Sequence, residues 1–123
     1  MNFDESFSTL LQNLNFKQKD EKVFYYITPL TIKQTSTLLV IYCFEKDGKI
    51  FLCDNAQITD AYDATNIDFE NLKNEIANLA KKINIEYHKT CLLKTINPNN
   101  FVNELSEFIK AIIFIEQNLE TYQ

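Results

Sequence analysis

Three aspartates that follow a predicted strand are the side chains best placed for acid–base or metal chemistry. Asp54, Asp60 and Asp63 lie close together in the sequence, and on a helix Asp60 and Asp63 would share one face. Carboxylates in such clusters serve hydrolases and divalent-cation sites. Their spacing matches no calcium-binding loop, and a solvated acidic surface explains the same residues. We therefore hold two hypotheses: a carboxylate-based hydrolase or metal site, and a surface that contacts a protein partner.

Other catalytic arrangements find no support in the sequence. His88 is the only histidine, and it stands in a predicted turn beside Glu86, where simple exposure explains it better than a role as general base. The single glycine, Gly48, leaves no serine with the tight turn of a hydrolase nucleophile and no loop that cradles a phosphate. We accordingly expect no catalytic residue, no bound metal and no cofactor.

The three cysteines lack the spacing of a metal site or a redox motif. Cys43 and Cys53 fall on opposite arms of a predicted hairpin, whose turn at Asp47-Gly48 would place Cys43 near Leu52 instead. The two thiols should therefore not face each other. With Cys91, they are expected to be reduced, structural thiols.

Composition excludes further classes of function. The 123 residues, 46% of them apolar, suffice for one domain spanning 1–123. No apolar run reaches the ~18 residues of a membrane span, and the acidic start is unlike a signal peptide, so we expect a cytoplasmic protein with no membrane contact. Net charge is −5 and all 12 basic residues are lysine. We expect no direct nucleic-acid partner, since phosphate contacts dominate that affinity, although an AT-rich genome explains the same bias.

The elements that position these residues can be read from hydrophobic periodicity. Helical patterns cover residues 2–15, with Asn2 as cap, a short stretch near 58–62, residues 68–83 with Asp68 as cap, and residues 99–121. Strand patterns cover residues 23–27, 37–44, 49–53, 85–87 and 91–96. The nearly continuous apolar run at 37–44 is typical of a strand covered on both faces. Residues 17–22 are interpreted as a charged connector.

Together these patterns predict an α+β domain of order αβββ(α)αββα. Its antiparallel β-sheet would consist of a three-stranded meander plus two short strands. An N-terminal helix, a middle helix and a long C-terminal helix would pack on that sheet. Tyr25, Tyr26 and Tyr42 lie on its strands and could stack on bases in a basic groove, but no basic residues are evident beside them, which favours a core or interface role.

The last predicted helix carries one apolar residue outside its main stripe. Phe114 points about 160° away from Ile112 at the helical period, on the side of Glu107 and Lys110. Because buried aromatic residues dominate interface energies, Phe114, Lys110 and Glu107 are predicted to contact a partner, preferably a second copy in a homodimer. One exposed phenylalanine is also ordinary on a monomer.

Several short motifs between Thr28 and Leu119 carry a resemblance. They are Thr28-Pro29, Ile41-Tyr42, Asp47-Gly48, Leu52-Cys53-Asp54-Asn55-Ala56, Ile67-Asp68, Ile83-Asn84-Ile85 and an isoleucine-rich last helix. In these the chain resembles a bacterial and phage family called domain of unknown function 1828. Members read Leu-Thr-Asp-Asp-Gly in the fourth motif, so this chain lacks their second aspartate and their glycine. The resemblance implies an α+β domain with no established activity and a phage or mobile-element origin.

From these observations we expect a non-enzymatic protein-binding module that docks on a bacterial target protein. If that target binds nucleic acid, the acidic surface could occupy its basic groove, as in some anti-CRISPR proteins. The order of elements is also similar to that of type III secretion chaperones, which are homodimers that wrap effector segments. An effector chaperone and the hydrolase or metal-dependent enzyme are therefore the alternatives.

Overall fold

Antiparallel strands form one sheet with helices packed on one of its faces in the computed structural model, which describes residues 5–64 and 68–119. The α-helices of the described residues are α1 (Glu5–Asn13), α2 (Gln57–Asp63), α3 (Phe69–Lys82) and α4 (Phe101–Leu119), and a short 3₁₀ turn, Pro98–Asn100, precedes α4. The strands are β1 (Lys17–Asp20), β2 (Val23–Ile32), β3 (Thr37–Lys46), β4 (Lys49–Cys53), β5 (Glu86–His88) and β6 (Cys91–Ile96). The predicted α+β class and the order of the predicted elements are confirmed.

The sheet has the strand order β1-β2-β3-β4-β6-β5. The hairpin between β3 and β4 turns at Asp47 and Gly48, whose φ angles of 53° and 75° match a two-residue turn that favours glycine. This turn sets the register in which Cys43 pairs with Leu52, as predicted. The chain then returns from α3 through β5 and β6, and β6 pairs with β4 to place β5 at the edge.

A bulge interrupts β2 where the sequence contains Thr28-Pro29, as the missing proline N–H predicts. Thr28 is buried there, and its hydroxyl donates to the carbonyl oxygen of Leu39 at 2.8 Å. The hydroxyl oxygen of Thr28 in turn accepts the N–H of Leu30 at 3.2 Å. The threonine side chain therefore replaces hydrogen bonds that the strand ladder loses at the proline.

One expectation about the strands was wrong: Lys17–Asp20 is not a connector but the edge strand β1, paired with β2. All four of its residues are exposed, so it has no apolar residue from which a strand pattern could be recognised. Charged side chains are typical of edge strands, because they discourage pairing with other chains. The predicted cap Asn2, and the predicted end of the last helix beyond residue 119, lie outside the described residues.

The core lies between the helices and one set of alternating strand residues. Phe24, Ile41, Leu52 and Leu92 point from the sheet into this layer and are fully buried. Aromatic rings join α1 to α4: the ring of Phe101 meets those of Phe7 and Phe16 edge-on at 5.4 and 5.6 Å. Asp68 caps α3, as predicted, by accepting the N–H of Asn71. No helix among the described residues is long and apolar enough to cross a bilayer.

Candidate functional site

The sheet face opposite the helices carries a continuous apolar surface. We call it the open face, and it comprises Val23, Tyr25, Val40, Tyr42, Phe44, Phe51, Cys53, Cys91 and Leu93. All of these except the buried Cys53 are half-buried, and none of the nine belongs to the core cluster under the helices. The open face is thus a second apolar surface that the described elements leave uncovered.

The pleat of β3 explains why sequence patterning missed this surface. Aliphatic Leu39 and Ile41 point to the helices, whereas Tyr42 and Phe44 point away from them. The prediction that this apolar strand is covered on both faces is wrong, since the helices of residues 5–64 and 68–119 lie on one face alone. The available signal was residue type, because the aromatic side chains of this strand all lie on the open side.

Cross-strand ring pairs organise the open face. The rings of Phe44 and Phe51 stack with centroids 5.1 Å apart and planes 17° apart. Tyr25 and Tyr42 pair at 6.3 Å, and the ammonium group of Lys19 lies 5.9 Å from the centroid of the Tyr42 ring. Such pairs stabilise neighbouring strands and hold the rings in fixed positions. Tyr26 instead faces the helices and stacks on Phe16 at 5.3 Å.

A groove of about 460 Å³ runs along β4 and β6 on the open face. Apolar side chains form its floor: Phe44, Phe51, Cys53, Cys91 and Leu93. Its charged and polar lining residues are Lys46, Asp47, Lys49, Glu86, His88 and Lys89. An apolar floor with few polar groups at its margin is typical of binding sites.

The two thiols in the groove are weak nucleophiles. Burial raises the pKa of Cys53 to about 12, and the negative charge of Asp54 acts in the same direction. Burial also raises the pKa of Cys91, although the thiol of Cys53 and the N–H of Ala56 act against this by hydrogen bonding. Protonated thiols react slowly, so this geometry favours binding over covalent chemistry.

The structure separates the three aspartates that the sequence groups together. Asp54 is fully buried. Its carboxylate accepts the N–H groups of Ala56 at 3.0 Å, Ile58 at 3.1 Å and Leu92 at 2.9 Å, which fixes the start of α2 and the end of the β4–β6 pair. Asp54 is therefore a structural residue in this fold, and no partner can reach it.

Asp60 and Asp63 lie on α2 and are exposed, with the spacing that places both on one side of the helix. They remain accessible, but the buried Asp54 does not join them at the surface. Within residues 5–64 and 68–119, no three His, Cys, Asp or Glu side chains are arranged to hold a metal ion together.

Helix α4 presents its predicted contact residues differently from the expectation. Phe114 is half-buried and packs on the core of its own chain, beside Ile83 and Ile85. Glu107 and Lys110 are exposed and form an ion pair at 3.9 Å one turn earlier. The three residues do lie together, yet the phenylalanine is not a free anchor. Val102, near the start of the same helix, is 59% exposed.

The exposed carboxylates were therefore recognisable from the sequence, whereas the groove was not. Its residues come from β3, β4, β5 and β6, so no local pattern groups them. Tyr25 and Tyr42 do have basic neighbours, which the sequence did not reveal. Lys17 and Lys19 of β1 lie on the same face of the sheet as these two tyrosines.

Comparison with known proteins yielded a family match. The family model described as domain of unknown function DUF1828 matches residues 28–115, from the bulge of β2 to the last turns of α4. Comparisons with curated proteins and with solved structures gave no match. The matched segment contains β3 to β6, hence all of the groove, and it spans well over half of the chain. The chain therefore belongs to the family of domain of unknown function DUF1828.

Proposed function

We propose that this chain is a non-enzymatic protein-binding module and that the open face of its sheet is the binding surface. The single observation that carries the proposal is the uncovered apolar surface formed by β2, β3, β4 and β6. Large exposed apolar patches mark interaction sites, because leaving them in water is unfavourable.

The extent of the surface supports this role. Four strands ~4.8 Å apart and five residues ~3.4 Å apart give an area of roughly 19 by 17 Å, on the order of 300 Å² in projection. The largest apolar patch on a typical monomer begins at about this size, ~300 Å², and such patches are often functional. Tyr25, Tyr42, Phe44 and Phe51 contribute rigid rings, the residue class that dominates interface energies.

The finer form of the proposal is a small phage or mobile-element protein that docks on a bacterial target, with anti-CRISPR or other anti-defence inhibition as one version. Net charge of −5 supports a basic target surface for the helix layer, where Asp60, Asp63 and Glu107 are exposed. An effector chaperone would use an apolar sheet face as well, because its clients expose apolar segments.

The test compares variants of the two surfaces. The tagged chain is used to capture proteins from a bacterial lysate, the partner is identified by mass spectrometry, and the purified partner is then titrated by calorimetry. Tyr42→Ser on the open face should weaken binding by about tenfold or more, as expected when an aromatic anchor is removed. Val102→Ser on α4 is the matched control and should leave the affinity unchanged.

Both variants should retain the circular dichroism spectrum of the wild type, since both sites are solvent-accessible. If the purified partner binds the Tyr42→Ser variant as tightly as the wild type, and Phe51→Ser gives the same result, the open face is not the binding surface.

A further inference from the structure

We propose that the groove along β4 and β6 binds an extended segment of a partner protein that has an apolar centre and acidic residues at both ends. This inference rests on the proposed function and adds the chemistry of the partner. What carries it is the placement of an apolar floor between two cationic ends.

The antiparallel course of the strands creates that placement. Lys46 and Lys49 pair across the β3–β4 turn and lie at one end of the groove. His88 and Lys89 lie at the other end, where β5 turns into β6. Five residues of β4 separate the two ends by about 14 Å, which an extended segment of about five residues spans.

The floor matches the centre of such a segment. Phe51 and Cys53 alternate along β4, and Leu93 pairs with Cys53 on β6. An extended ligand parallel to these strands would place every second side chain, ~7 Å apart, on this apolar strip. The stacked pair of Phe44 and Phe51 offers ring edges and faces to aliphatic side chains.

The charges at the ends favour carboxylates. Within the described residues, no carboxylate lies within ion-pair distance of the ammonium groups of Lys46, Lys49 or Lys89. The three lysines of the lining outnumber its two acidic residues, which are Asp47 and Glu86. The charged side chains of the lining thus carry a net positive charge in a chain of net charge −5, so an acidic segment gains attraction from the lysines at the two ends.

The same charges disfavour two other occupants. A second copy stacked face to face would bring one cationic end of the groove against another, whichever way the two-fold axis runs. A nucleic acid would place phosphates along the whole groove, including the apolar floor between the lysines, and it would find no arginine for bidentate contacts.

The probe is a fluorescein-labelled octapeptide, Glu-Glu-Leu-Phe-Ile-Leu-Glu-Glu, titrated with the full chain and followed by fluorescence anisotropy. Two matched peptides serve as controls. One keeps the apolar centre but has lysine in place of glutamate at both ends, and the other keeps the acidic ends but has serine at the four central positions. Only the first peptide should bind, and its affinity should fall as salt screens the ends. Equal affinity for acidic and lysine ends, or no binding of the first peptide, would overturn the inference.

The protein variants test the same ends. Lys49→Glu combined with Lys89→Glu should weaken the acidic peptide by about threefold to tenfold, the range for two exposed ion pairs. Lys81→Glu combined with Lys82→Glu on α3 is the control of equal charge change and should have no such effect. A labelled single-stranded oligo-dT is the third arm. If it binds more tightly than the acidic peptide and competes for the groove, the occupant is a nucleic acid and the inference is wrong.

Failure of this inference and failure of the proposed function give different results. If Tyr42→Ser weakens the affinity for the captured partner but the lysine variants do not, the open face is the binding surface and the partner does not bind through an acidic segment. If neither Tyr42→Ser nor the lysine variants change the affinity, both proposals are wrong.

Discussion

At the scale of single residues, the buried Asp54 links the stability of the protein to pH. Burial raises the pKa of its carboxyl from 3.8 to about 6, although three backbone N–H groups donate to it. The folded chain therefore holds this proton more tightly than the unfolded chain. The contribution of the protonated Asp54 carboxyl to stability is fully present below about pH 3.8 and is lost as the pH rises through about 6.

Urea unfolding of the wild type and of the Asp54→Asn variant measures this dependence on pH. The difference in free energy of unfolding, wild type minus variant, should fall by about 2 to 3 kcal/mol between about pH 4 and about pH 7, since two pKa units correspond to that energy. The variant should be less stable at low pH, because the hydroxyl oxygen of the protonated acid can still accept the N–H of Ile58, whereas the NH₂ group of asparagine cannot. A difference that is constant with pH, or that rises, would contradict this account.

Ala56 occupies a backbone conformation that favours glycine. Its φ of 64° lies in the left-handed region just before α2, where a Cβ costs about 1 kcal/mol. The family resemblance implies glycine at this position, and the positive φ angle gives the physical reason. Ala56→Gly should therefore raise the free energy of unfolding by about 0.5 to 1 kcal/mol. Ala77→Gly, inside α3, is the matched control and should lower it by about 1 kcal/mol; a loss in both variants would exclude relief of backbone strain.

At the scale of elements, α4 packs on its own chain with more than its main stripe. That stripe faces the sheet, while the half-buried Phe114 packs against the core cluster and lines a small pocket with Ile83 and Ile85. Phe114→Ala should therefore lower the free energy of unfolding by about 1 to 2 kcal/mol, less than at a fully buried site. Val102→Ala, at a position 59% exposed on the same helix, should change it by less than about 0.5 kcal/mol.

A homodimer through α4 stays a prediction, and light scattering on the Phe114→Ala variant addresses it. A mass that halves relative to the wild type would show that Phe114 also carries a contact between copies. An unchanged stability in urea would instead contradict its packing against the chain's own core.

At the scale of the whole molecule, charge and apolar surface are distributed unevenly between the two layers. Exposed acidic residues such as Asp60, Asp63 and Glu107 lie on helices, whereas lysines flank the aromatic residues of the open face. The overall charge of −5 therefore does not describe the sheet surface. The expected lack of nucleic-acid binding stays a prediction, and the oligo-dT titration tests it at the face where lysines and aromatic rings meet.

The sequence by itself determined the elements whose signals are local. The helical stripe and capping residue of α3 are set by neighbours in the chain, and the turn at Asp47-Gly48 fixes the Cys43–Leu52 register. The α+β class follows from these elements, since each apolar side needs a partner layer. The family motifs were recognisable for the same reason, because each is a short contiguous run.

Only the tertiary structure decided which side of each strand is covered and which polar residues are buried. Burial of Asp54 depends on the N–H of Leu92, 38 positions away, and the groove joins residues of four strands. An all-polar edge strand such as β1 is defined by its partner and not by its own pattern. Burial and pairing are properties of packed layers, and a single strand of mixed apolar residues does not state which of its faces the helices will cover.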